Sequence, residues 1–170
     1  GVGEALKRFQ REVLLERNVK PMYWTFDPLE SKNAYLNFQR LAFVAREYIR
    51  DLYGDTDSPL HSAIGTDRLI AIWELDSDRV GVRLAGEKPE RLSAVAINTA
   101  VGGGEILVQG SEPIINAEAP IIRIAIPTDI QRIKQTDQKL AVRWRVQTRA
   151  AFEAYLGKGY VVTGFERGDP

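Results

Sequence analysis

Four groups of residues have types and spacings that can do chemistry. Gly1-Val2-Gly3-Glu4 opens onto EALKRFQREVLLER, where Leu6, Phe9, Val13 and Leu14 recur at helical spacing. A helix therefore starts within a residue or two of Gly3. Its first amides lack partners inside the helix and the dipole adds positive charge there, so a pyrophosphate is a natural occupant. Glycine lets the backbone approach that anion without a Cβ in the way, although a plain loop before a helix fits the same residues. Asn33 and Asn37 stand four apart, which on a helix presents two amides either to one ligand or to solvent. Asp67-Arg68 can bind the amino and carboxylate groups of a small acceptor, or simply pair with each other at the surface. His61 is the only histidine; its ordinary pKa suits a general base, but it lies in the turn-rich stretch 54–67 and is read as a surface residue.

The elements that must position these groups follow from apolar patterning. Met22-Tyr23-Trp24-Thr25-Phe26, between Pro21 and Pro28, suits a strand buried on both faces. Asp27-Pro28 must stop it, because Pro28 has no amide hydrogen and keeps Asp27 from helical angles. Ser31 can cap a helix over 32–42 with Ala34, Leu36, Phe38 and Leu41 as its apolar contacts. Strands are expected over 43–53 and 68–75, then short ones over 80–84, 92–98 and 106–109, with Gly102-Gly103-Gly104 as a hairpin turn. Residues 120–127 (PIIRIAIP) predict a further strand. Residues 128–157 predict two helical pieces capped by Thr128 and Asp137, and 160–167 a closing strand.

Composition excludes several classes. The 170 residues suffice for one domain, or one and a half, with a real core. Hydrophobic residues at 44% and charged residues at 27% describe an ordinary soluble protein, and the lack of cysteine is compatible with a reducing cytoplasm. Lysine plus arginine equals aspartate plus glutamate at 23 each, so nothing favours attraction to nucleic acid or to a membrane surface. The absence of cysteine removes disulfides, thiolate metal sites and a cysteine nucleophile; no metal is expected.

The first stretch resembles the second half of the pyrophosphate loop and following helix of the GNAT superfamily of acyl-CoA N-acyltransferases, whose loop reads Q/R-x-x-G-x-G/A. Gly1 and Gly3 match its last two fixed positions. Residues 34–43 resemble the later motif in which a helix ends in a small residue plus an aromatic and runs into a strand. The words WTFDPL, NAYLNFQRL and TDRL are similar to an uncharacterised bacterial branch of predicted acetyltransferases. The resemblance implies an α/β (α+β) fold, a mixed sheet flanked by helices. Residues 1–77 would form the later half of the GNAT core, and 78–170 a β-rich and helix-strand extension. It implies acetyl-CoA or another acyl-CoA as co-substrate, bound at Gly1, Val2, Gly3, Glu4, Asn33 and Asn37. A small amine, an amino acid among the candidates, would bind at Trp24, Asp67 and Arg68.

Asp27 is the first choice of general base, because it follows the strand where the family's cleft opens; a loop cap before Pro28 is the competing role. The tyrosine that many members use to protonate the leaving thiolate aligns with Phe38, which has no proton to give. Residues 148–167 laid over 31–50 pair Ala151 with Ala34 and Tyr155 with Phe38, so a repeated half-fold would bring Tyr155 to that position; chance likeness explains the overlay as well. The resemblance starts inside the loop, which leads to the expectation that preceding strands are missing. The strand over 22–26 should then expose an edge and pair with another polypeptide, either the missing segment or a second copy. A GNAT-like domain that binds acyl-CoA or self-associates without chemistry is the alternative function.

Overall fold

The computed structural model describes residues 1–54, 64–90, 93–98, 100–101, 106–107 and 112–167; His61 and Gly102 to Gly104 lie outside these. Helix α1 (Val2–Glu16) begins at Gly1. It ends in a left-handed turn at Asn18 (φ 61°), whose amide and that of Val19 each reach the carbonyls of Leu15 and Leu14 respectively at 2.9 Å. Strand β1 (Pro21–Phe26) follows, then the short helix α2 (Ser31–Ala34), which widens into a π-helical turn over Tyr35–Arg40. Strands β2 (Val44–Ile49) and β3 (Arg68–Glu74) complete a three-stranded sheet of order β1-β3-β2. β3 is antiparallel to both neighbours, so β1 and β2 run parallel with the α2 crossover between them and β3 inserted in the gap.

Register explains what is buried. Leu69, Ala71 and Trp73 face the helices with Phe26, Phe38 and Phe43, and this row is the main core. The other face carries Tyr23 opposite Ile72 and Ile72 opposite Val44. Tyr23 is 59% exposed there, and β1 pairs with β3 alone among the described strands. The expectation of a strand buried on both faces is therefore corrected: β1 is an edge strand with one covered face.

The helix expected over 32–42 is present but wound differently. Ser31 donates its hydroxyl to the Thr128 carbonyl instead of capping, and the N-cap is Glu30. The wide turn frees carbonyls, and Arg83 collects those of Phe38 and Gln39 at 3.1 and 2.7 Å. The π-turn also breaks the four-residue register, so Asn33 is exposed while Asn37 is 4% exposed. The two amides do not share a face.

Beyond β3 the sequence expectations meet more corrections. Residues 80–84 are not a strand but lie in helix α3 (Asp78–Leu84), started by Ser77, whose hydroxyl accepts the Val80 amide. The strand expected over 120–127 shrinks to β7 (Ile122–Arg123), parallel to β4 (Val95–Ala96). Past Arg123 the Asn98 side chain replaces the ladder, donating to the Ala125 carbonyl and accepting its amide at 2.9 and 2.7 Å. β5 (Ala100–Val101) and β6 (Ile106–Leu107) form a small antiparallel pair. Helix α4 (Ile130–Thr136) is capped by Asp129 rather than Thr128, and α5 (Gln138–Gly157) by Asp137 as expected.

The closing strand reduces to one antiparallel bridge, Val162 to Ala45. The overlay of 148–167 on 31–50 makes these two positions equivalent, but 31–50 folds as a short helix, a π-turn and a strand, whereas 148–167 is the end of one α-helix followed by this single bridge. Core contacts cross the expected 77/78 boundary: Val80 and Phe152 belong to the same cluster as Phe26 and Trp73. The molecule is thus mixed α/β, with helices against one face of its principal sheet.

Candidate functional site

At the C-terminal end of β1 a cavity of about 410 Å³ opens between β1, α2, the segment before β3, and α4. Three expected site residues, Asp27, Asn33 and Arg68, line it, joined by Thr25, Tyr53 and Lys134. Asp27 is there because Pro28 ends the strand and turns the chain: its Oδ1 accepts the Leu29 amide at 2.9 Å. Its Oδ2 accepts Arg145 Nη2 at 2.6 Å and lies 3.7 Å from Arg68 Nη1. A carboxylate offers about four acceptor positions, so these bonds orient Asp27 without exhausting it. Arg68, the first residue of β3, donates to the Asp67 carbonyl at 2.9 Å and lies 5.1 Å above the Tyr53 ring. Tyr53 in turn shares a 3.0 Å hydrogen bond with Thr25. The lining therefore offers two carboxylates (Asp27, and Glu30 held by Gln131), the Arg68 guanidinium, the Lys134 ammonium and two hydroxyls.

Behind this cavity lies a buried ion network. Asp67 is 0% exposed and accepts Arg149 Nε at 2.7 Å, Arg149 Nη2 at 2.6 Å, the Asp51 amide at 3.1 Å and the Tyr48 hydroxyl. Burial alone pushes its carboxyl up, but the Arg149 and Tyr48 hydrogen bonds outweigh it and hold the pKa below the ordinary value. The Tyr48 phenol moves the other way, raised by burial and then by Asp67. Arg145, 2% exposed, donates Nε to the Ile64 carbonyl at 3.0 Å as well as Nη2 to Asp27, while its Nη1 has no hydrogen-bond partner among the described residues. The expected pair Asp67-Arg68 thus splits. Arg68 reaches the cavity, and Asp67 serves the network with all its oxygens engaged.

Sequence reading missed Arg145 and Arg149. The signal was there: they sit four apart in α5, and Arg145 falls inside the stripe formed by Ala141, Trp144, Thr148 and Phe152. A cation in the middle of an apolar stripe announces a buried partner.

The remaining candidates lie elsewhere. Gly1, Val2 and Gly3 form the exposed start of α1, and Glu4 in its first turn is bound by Arg40 Nε and Arg8 Nη2, each at 2.9 Å. The Arg40 hydrogen bond holds the Glu4 carboxyl below its usual range. A Cβ on Gly1 would meet nothing and one on Gly3 only Leu36 at 3.7 Å, so internal packing does not demand either glycine. Trp24 belongs to the helix-covered side of the sheet, 3.9 Å from Phe43 with Lys7 3.9 Å above its ring, and does not line the cavity. Burial there pushes the Lys7 amine down.

Tyr155, 1% exposed, packs with Ile97 and Ala151; its hydroxyl donates to the Ile114 carbonyl at 2.7 Å and accepts the Ala117 amide at 3.1 Å. It clamps the 114–117 loop and does not line the cavity. Phe38 is likewise buried in the core at 2% exposure.

Among the described residues, no group of three or more histidines, aspartates or glutamates could hold a metal ion. No described helix is long and apolar enough to cross a membrane. No protein-family model, curated protein or solved structure matches this chain, so the site stands on its own geometry.

Proposed function

We propose that this chain is a GNAT-type N-acyltransferase of the cytoplasm, which moves an acetyl or other short acyl group from acyl-CoA to the amine of a small molecule, with amino acids as the acceptor class. The observation that carries this reading is the cavity at the end of β1, where a carboxylate (Asp27) and a guanidinium (Arg68) stand on one wall. Opposite charges at that separation suit the two ends of a zwitterion. The crossover order, with β1 and β2 parallel and α1 leading into β1, supports the finer fold assignment.

In this mechanism the free amides of Gly1 to Glu4 take the coenzyme pyrophosphate, with Arg8 and Arg40 turning from Glu4 to the phosphates. Arg68 holds the acceptor carboxylate. Asp27, fixed by Arg145, takes one proton from the acceptor's ammonium so that the neutral nitrogen can attack the thioester carbonyl, and the second N–H proton passes through solvent to the CoA thiolate as the C–S bond breaks. Most of the acceleration comes from alignment rather than from proton transfer.

A second reading, acyl-CoA binding without chemistry, draws support from Phe38, which carries no proton for the thiolate, and from Tyr155, whose hydroxyl is committed to a loop. One experiment separates the two: CoA titration by calorimetry beside thiol release from acetyl-CoA and succinyl-CoA across a panel of amino acids and amines. The enzyme reading expects CoA binding and thiol release with an amino acid. It also expects Arg68→Ala to raise KM by about tenfold or more, the effect of losing one charged hydrogen bond, and Asp27→Asn to lower kcat. Binding without turnover for any amine favours the second reading, and absence of CoA binding overturns both.

A further inference from the structure

The charges of the whole chain balance, but those of one stretch do not. Residues 130–152 hold six lysines and arginines against a single acidic residue, Asp137, whose Oδ1 caps α5 by accepting the Leu140 amide at 2.9 Å. The fold sorts these cations by direction. Arg145 and Arg149 turn inward from α5 to Asp27 and Asp67, and Lys134 lines the cavity. Lys139 and Arg143 lie on the other side of α5. At about 100° per residue, positions 139, 142, 143 and 146 fall in one sector roughly opposite the buried stripe of Ala141, Trp144, Thr148 and Phe152.

Every position in that sector is ill suited to a helix face that meets only water. Val142 and Val146 are 39% and 54% exposed, and β-branched side chains lose rotamer freedom on a helix without burial to offset it. Lys139 is exposed and Arg143 half-buried, and neither forms a hydrogen bond or ion pair with another described residue. They stand four apart, where like charges repel and an acid would have stabilised the helix. The nearby carboxylates are engaged elsewhere, Glu153 with Arg50 and Asp51 with Arg149. Such local conflicts mark a surface whose partner is missing.

The chemistry of the sector selects that partner. Two cations one helical turn apart call for two carboxylates at matching spacing, and the valines between them call for an aliphatic side chain. A nucleic-acid backbone is matched by a longer row of cations without an apolar centre. A bilayer surface is matched by larger apolar side chains than valine. We infer that the outer face of α5 docks an acidic helix of a partner protein, its carboxylates on Lys139 and Arg143 and its aliphatic side chains over Val142 and Val146. The face is about 10 Å long, so the association is weak and transient. It stands apart from the acyltransferase reading, since it uses neither the cavity nor α1.

The test is titration of the 170-residue chain, followed by amide NMR shifts, with a capped helix-forming peptide that repeats glutamate and leucine at three- and four-residue spacing. Polyglutamate, phosphatidylserine vesicles and a DNA duplex are titrated beside it. The peptide is expected to shift residues 138–150, to bind less well as salt is added, and to bind better than polyglutamate. Lys139→Glu combined with Arg143→Glu is expected to weaken binding about tenfold or more and Val146→Ser about threefold, with unchanged thermal melts. The same peptide with lysine in place of glutamate is expected to bind the double variant and not the wild type. Absence of shifts up to about a millimolar peptide, or binding that survives both the charge reversal and added salt, overturns the docking face. Polyglutamate binding as tightly as the peptide, or vesicles or duplex binding more tightly at these residues, overturns the acidic helix as its partner.

Discussion

Helices α1 and α5 flank the same core and treat their side chains in opposite ways. α5 buries eight residues, Arg145 among them, whereas α1 buries none although its apolar line is the cleaner of the two in sequence. The difference lies in what each helix has to meet. α5 faces Tyr48, Asp67 and Asp27 across the end of the sheet, so polar residues on its inner stripe find fixed opposite charges. α1 is held mainly by long cationic side chains reaching the carbonyls of Leu84 and Leu75, which leaves its apolar line outside. Apolar periodicity shows that a face needs a cover; it does not say which cover.

The contrast breaks most sharply at Asp67. Removing its fully buried carboxylate leaves the Tyr48 hydroxyl and the Asp51 amide without their acceptor and Arg149 with Asp51 alone, and losing one partner of a buried pair costs about 3–5 kcal/mol, the lower end applying here because Arg149 stays partly exposed. Asp67→Ala should therefore lower the urea midpoint severely, while Phe9→Ser on α1 should change monomer stability by less than about 0.5 kcal/mol. Equal losses in the two variants would mean that Phe9 contributes as much to the folded monomer as the buried Asp67, and would erase the contrast.

Acid unfolding sharpens the same point. The Asp67 carboxyl is held below its ordinary pKa, so its contribution to stability is complete above the ordinary carboxylate range and is lost as pH falls through the lowered folded value. Urea midpoints measured downward from pH 6 should stay flat on this account until below about pH 4 and then fall. Asp67→Asn should remove part of that fall. A wild-type midpoint that already drops between pH 6 and 5 would require a different titrating group.

Gly65 carries the next effect. Its φ is +74°, and a Cβ there would sit 2.2 Å from Asp51 Oδ1, the atom that accepts the Thr66 amide at 3.1 Å. Gly65→Ala combines left-handed strain with a displaced Asp51 and should cost about 1–3 kcal/mol. Because Gly65 also lines the cavity, the variant should weaken ligand binding there beyond its loss of stability. Full binding at reduced stability would separate the cavity from the network.

What the sequence made legible was local. The edges of β1 and β3, the Asp137 cap and the long α5 follow from prolines, β-branched runs and a side-chain cap within three residues. What escaped depended on distant partners. Residues 80–84 alternate like a strand, yet Ser77 starts a helix whose arginine caps the π-turn some 45 residues earlier in the chain. Residues 120–127 read as a full strand, yet Asn98 takes over the bonds that a neighbouring strand would supply. Asp27 and Arg145 meet across 118 residues, and neither position alone shows which carboxylate the arginine holds. The cavity was half legible for the same reason: Asp27 and Arg68 sit at strand ends, where turns expose chemistry, but Thr25 and Tyr53 join only through the fold.

The smallest effect tests whether α1 is limited by its ends or by its missing cover. Asn18 closes the helix at φ 61°, a conformation that costs a residue with a Cβ about 1–2 kcal/mol, although asparagine tolerates it better than most. Both turn bonds use the backbone amides of Asn18 and Val19, so Asn18→Gly keeps them. The gain from relaxed strain exceeds the added entropy of the unfolded glycine by a few tenths of a kcal/mol, about 0.5 at most. Hydrogen exchange along 2–16 should slow slightly in Asn18→Gly at concentrations where the chain is monomeric. If α1 is limited by its exposed apolar line instead, the same amides will be indifferent to the new glycine.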